Sequence, residues 1–133
     1  MKPTSTAGKF VYQDNTLAYQ SPAHHWCIGI NEIKLIAEYT TTGGPFGDDY
    51  FFLFITSPHD GWCRASFYAE GRDMMFDFLA ARLGSAVETG LCDFTDFKSR
   101  ILWPPGLVNL PLGEPNGKGG FILSPAAKAV FKT

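Results

Sequence analysis

The sequence predicts an α+β domain: an antiparallel, strongly bent sheet of about six strands with one main amphipathic helix packed on it. Three observations carry that expectation. Side chains from Ile33 to Tyr39 alternate, with Ile33, Leu35, Ala37 and Tyr39 on one face and Lys34, Ile36 and Glu38 on the other, the period of a half-buried strand. Tyr50 to Ile55 is a run of aromatic and aliphatic residues without alternation, which suits a central strand covered on both faces. From Arg72 to Leu83 the period becomes helical, since Met75, Leu79 and Leu83 recur every fourth residue with Phe76 and Ala80 beside them.

The elements follow in order. Residues 1–8 are small and polar, as in a frayed terminus. Lys9–Gln13 and Thr16–Gln20 form two short strands around an Asp14-Asn15 turn. An extended pattern resumes from His24 to Ile30, and the apolar phase then slips, which calls for a bulge or tight turn at Asn31-Glu32. Thr40 to Asp49 is a glycine-rich loop. Ser57-Pro58-His59-Asp60-Gly61 supplies hairpin chemistry before a returning strand, Trp62 to Ala69.

Asp73 suits the first turn of the helix, where the dipole favours an anion, and Gly84 suits its left-handed end. Asp93 or Thr95 caps a short turn that carries Phe94, Phe97 and Ile101 inward. Three prolines between Leu102 and Leu112 exclude a central strand, so residues 102–133 are expected to wrap the core formed by residues 26–84. Within that wrap, Phe121 to Leu123 adds an edge strand, and Ser124-Pro125 is a helix start.

A length of 133 residues suits a single domain. Lysines and arginines are scattered and the formal net charge is −2, which argues against a nucleic-acid partner or an anionic membrane surface. No apolar run approaches the ~20 residues of a membrane span. Cys27, Cys63 and Cys92 are odd in number, far apart and set among apolar neighbours, the profile of buried free thiols in a reducing compartment. The start carries no apolar stretch of the signal-peptide kind, and a cytoplasmic location is the expectation.

The spacing of Ile28, Ile30, Ile33 and Ile36, followed by Phe52 to Ile55, Phe67, and Met75 to Leu83, resembles the closing strands and helix of pleckstrin-homology-like domains. The resemblance implies a bent, helix-capped sheet. It does not extend to lipid binding, because the first hairpin lacks the basic pair through which phosphoinositide-binding members hold phosphate: Lys9 stands nearly alone and Asp14 occupies the turn. About a third of the chain follows the helix, where that family usually stops.

Of the chemistry-bearing clusters, His24-His25-Trp26-Cys27 is the one rich in metal ligands. In an extended strand His25 and Cys27 point the same way, and Cys63 or His59 offers a further ligand, but the paired C-x-x-C spacing is missing. A small metal-dependent or thiol enzyme using His24, His25 and Cys27 is therefore the alternative reading, with no metal or cofactor in the leading one. Asp48-Asp49 with Glu38, His59 and Asp60 reads as a solvated acidic rim. Gly43-Gly44-Pro45-Phe46-Gly47 lacks the Lys-Ser/Thr of a phosphate loop.

Aromatic residues make up 15% of the chain, twelve of them Phe, more than a core of this size needs. Phe46, Trp62, Tyr68 and Trp103 fall in loops or on the more polar strand face, the positions from which a protein-binding patch is built. The competing use is that the proline-rich tail covers the same face. The leading functional expectation is a non-catalytic protein-binding module, an adaptor, inhibitor or immunity-type protein. A carrier of an apolar small molecule between sheet and helix is a third reading.

Overall fold

The structure, a computed structural model, describes residues 8–22, 25–40, 50–57, 61–84, 87, 98–108, 110–115 and 121–131. Among these residues the chain is mixed sheet and helix, with nine strands in three antiparallel sheets and no closed barrel. The first sheet has the order β1 (Lys9–Gln13), β2 (Thr16–Gln20), β3 (His25–Gly29). The second runs β6 (Trp62–Ser66), β5 (Tyr50–Ile55), β4 (Leu35–Thr40), β7 (Lys98–Trp103). A ribbon of β8 (Gly113–Pro115) and β9 (Phe121–Leu123) completes the set. The single bent sheet of about six strands is thus corrected to separate sheets, because the chain breaks into a 3₁₀ turn at Ile30–Glu32 before β4 begins. That turn occupies the position of the phase slip in the sequence.

The main helix α1 spans Arg72–Leu83, between Gly71 and Gly84. Both glycines are left-handed, at φ 81° and 80°, a conformation that side-chain-bearing residues adopt at a cost. Met75, Phe76 and Leu79 turn their side chains into the core. The short α2, Pro125–Val130, starts as its sequence requires: the Ala127 N–H donates to Ser124 Oγ at 3.2 Å, and Pro125 takes the first helical position. No helix among the described residues is long and apolar enough to cross a membrane.

The second sheet has a core on each face. On one side Ile36, Tyr50, Phe52, Phe54 and Ala65 meet Phe10, Leu17 and Tyr19 of the first sheet and Met75, Phe76 and Leu79 of α1. On the other, Leu35, Ala37, Tyr39, Leu53, Ile55 and Ile101 pack with Leu112 and Ala127, and Leu107, Leu123, Val130 and Phe131 lie against them. The Tyr50 run is therefore central, as its uniform apolarity implies. The Ile33–Tyr39 segment differs from the expectation of one buried face: all six residues of β4 are buried, because strands flank it on both edges and chain packs on both sides.

Ile101 is corrected from a helical turn to strand β7, opposite Ala37 of β4. Asp93, Phe94, Thr95 and Phe97 lie outside the described residues. A register shift between Ile36 and Ala37 leaves Leu102 as the extra residue, so that Leu102 and Trp103 both face the core that holds Ile36 while Ile101 faces the other. The strand ends at Trp103, and the Trp103–Pro104 bond is cis.

Candidate functional site

The sequence-selected residues are dispersed. Trp62 is half-buried against the Leu35–Ile101 core, whereas Trp103 is half-buried against the opposite core, so the four-stranded sheet separates the two indoles. Trp103 Nε1 is buried and meets no hydrogen-bond partner among the described residues. Phe46 lies outside the described residues. Of the three that are described, Tyr68 is the exposed one, at 49%.

His25 and Cys27 share the outer, exposed side of β3, as a two-residue period requires, so Cys27 is corrected from a buried thiol to an exposed one. Cys63 is turned the other way, into the core beside Trp26 and Phe54, so the strand geometry does not bring it to His25 and Cys27. Burial raises the Cys63 thiol above its ordinary value, and the nearby Glu32 carboxylate pushes in the same direction, the reverse of an activated nucleophile. Among the described residues no three His, Cys, Asp or Glu side chains are gathered to hold a metal ion. His24, His59, Asp60, Asp48 and Asp49 lie outside the described residues.

Glu38 does not join an acidic rim. It sits in the central strand β4 at 0% exposure, opposite Phe52 on one side and Arg100 on the other. Arg100 Nε donates to Glu38 Oε2 at 2.8 Å, and the Tyr50 hydroxyl donates to Glu38 Oε1. Both carboxylate oxygens are thereby held by charge-assisted or hydroxyl donors, the condition under which a buried charge is tolerated. The sequence signal was a lone acid in a strand with apolar neighbours; its cationic partner, 62 residues downstream, was not legible.

From this pair an aromatic stack leads to the surface. The Tyr50 ring lies parallel to Phe67, with centroids 4.0 Å apart and 7° between planes. The Arg72 guanidinium carbon is also 4.0 Å from the Phe67 centroid, which leaves it the opposite face of the ring. Arg72 is fixed further by donating to the Phe67 carbonyl at 3.0 Å and to Asp73 Oδ1 at 3.1 Å. Tyr68 meets the rim of Phe67 edge-on at 5.2 Å, and its N–H donates to Ser66 Oγ at 3.1 Å. The Phe67 ring, held between Tyr50 and Arg72, thus lies beside one exposed tyrosine just before α1, and the first turn of that helix exposes Met74 at 66%.

Comparison with known proteins adds no relative: no protein-family model matches the chain, no curated protein matches it, and no solved structure matches it.

Proposed function

We propose that this chain is a non-catalytic protein-binding module of the cytoplasm, an adaptor, inhibitor or immunity-type protein, that docks a protein partner through Tyr68 and Met74 beside Arg72. The observation that carries the reading is the exposure of Tyr68 on an immobilised base. An exposed tyrosine contributes most to binding when little side-chain freedom remains to be lost, and here the Phe67 ring that Tyr50 and Arg72 hold in place gives Tyr68 a fixed surface to rest against. Met74, exposed in the first turn of α1, adds a flexible, polarisable contact.

The likeness to pleckstrin-homology-like domains belongs to the same proposal. The spacing from Ile28 to Ile55 and the helix after β6 support it, while β7, following the helix, departs from it. Trp62 and Trp103 are left out of the proposed patch, since each is half-buried against a core.

The test is a photo-crosslinking amino acid placed at Tyr68, at Met74, and at exposed Asp77 as a control, in cells that make the protein naturally. One discrete adduct from the first two positions and none from Asp77 is the expected result. Equal labelling at all three, or none at any, overturns the assignment of this surface.

A further inference from the structure

The outer surface of α1 is divided by charge. At about 100° of rotation per residue, Phe78 and Arg82 fall about 40° and 80° to one side of Met74, and Asp77 and Asp73 about 60° and 100° to the other. Both aspartates are exposed, so one flank of the helix is acidic. The other flank lies along the first hairpin, where the Tyr12 ring stacks on Phe78 with centroids 4.6 Å apart and 29° between planes.

Arg82 ends that flank. Its guanidinium carbon is 4.7 Å from the Phe78 centroid, and its Nε donates to the Asp14 carbonyl at 3.1 Å. Part of this is structural: a cation in the last turn suits the helix dipole, and the bond ties the β1–β2 turn to α1. That tether uses Nε alone. Among the described residues the Nη groups meet no acceptor and no carboxylate lies within ion-pair distance of Arg82, whereas Arg72 pairs with Asp73 at 3.1 Å and Arg100 with Glu38 at 2.8 Å. Arg82 is thus an exposed guanidinium held in place by a ring and a carbonyl, with its forked end unused. A group already immobilised loses little freedom on binding, and that fork matches a carboxylate through two parallel N–H bonds.

We propose that the protein docked at Tyr68 and Met74 places an Asp or Glu carboxylate on the Nη groups of Arg82, which makes Arg82 a determinant of partner choice. The inference rests on the docking surface proposed above and supplies the chemistry of what binds there. Arg82 lies about 12 Å along the helix axis from Met74, at about 1.5 Å per residue. The partner's contact is therefore apolar at one end and acidic at the other, with half-buried Phe78 between. Its direction is fixed as well, because an acidic end laid on the Asp73–Asp77 flank would meet like charge.

The experiment uses the full chain and, as probe, the protein recovered from the Met74 photo-adduct, identified by mass spectrometry, purified and titrated by calorimetry. Affinity is expected to fall as salt rises from about 50 to about 300 mM, since an exposed charge pair is screened. Arg82→Gln weakens binding by about fivefold or more and flattens that response. Arg82→Lys, which keeps the charge but not the Nε bond, keeps the response.

Binding by Arg82→Gln within about twofold of the unaltered chain overturns the proposal. So does an equal loss in Arg82→Gln and Arg82→Lys with the salt response unchanged, the mark of a tether for the β1–β2 turn and nothing more. Binding abolished by phosphatase treatment of the partner overturns it too, by assigning Arg82 to a phosphate. If Arg82→Gln fails to fold by circular dichroism, the salt series on the unaltered chain decides, and an affinity that does not move with salt overturns the proposal. No adduct from Tyr68 or Met74 removes the docking surface and this inference with it, whereas an adduct whose partner ignores Arg82 removes this inference alone.

Discussion

Replacing Arg100 by leucine tests the account of the second sheet most directly. Glu38 is fully buried, while Arg100 keeps 19% of its side-chain surface in contact with solvent. Removing the arginine leaves a fully buried carboxylate without its cation, the Tyr50 hydroxyl still donating to its other oxygen, a change that costs about 3–5 kcal/mol where a buried pair is broken. Removing the charge at Glu38 instead, as Glu38→Gln, leaves an arginine that can still hydrate, and the cost falls to about 1–3 kcal/mol. The two partners of one salt bridge are therefore expected to be unequal, with arginine loss the worse.

The combined change Glu38→Leu/Arg100→Leu removes both charges and is expected to cost less than the sum of its two single substitutions by about 2 kcal/mol or more. Urea unfolding at neutral pH, followed through the fluorescence of Trp26, Trp62 and Trp103, measures the unaltered chain, Arg100→Leu, Glu38→Gln, Glu38→Leu and the double variant. An Arg100→Leu cost under about 1 kcal/mol, or additivity within about 0.5 kcal/mol, would refute the claim that this pair is desolvated and coupled.

Other consequences are simpler to check. In a thiol-labelling time course at neutral pH, Cys27 reacts well before Cys63, because Cys27 is exposed and the half-buried Cys63 thiol is held in its neutral form. Tyr39 carries the alkaline limit: burial outweighs the lowering effect of the Arg64 hydrogen bond and charge and raises its phenol above the ordinary 10.0. The unfolded chain then loses the proton first, so its stabilising effect is complete below about pH 10 and is lost as pH rises through the folded value. Tyr39→Phe should flatten that fall in a pH series of urea midpoints. Gly71→Ala meets no obstruction closer than the Phe10 carbonyl at 3.6 Å, yet it forces alanine to φ 81° and should cost about 1–2 kcal/mol by the same assay.

The sequence by itself determined the local elements. The Asp14-Asn15 hairpin, the break at Asn31-Glu32, the central Tyr50–Ile55 strand, the Arg72–Leu83 helix and the Ser124-Pro125 start all rest on interactions within a few residues, which neighbouring side chains and backbone preferences specify. Tertiary structure decided what lies on each face. That β4 is buried on both sides, that Trp62 and Trp103 lie on opposite sides of one sheet, and that Glu38 finds Arg100 depend on contacts across tens of residues. No periodicity records such contacts, because period specifies which residues share a face and not what comes to cover it.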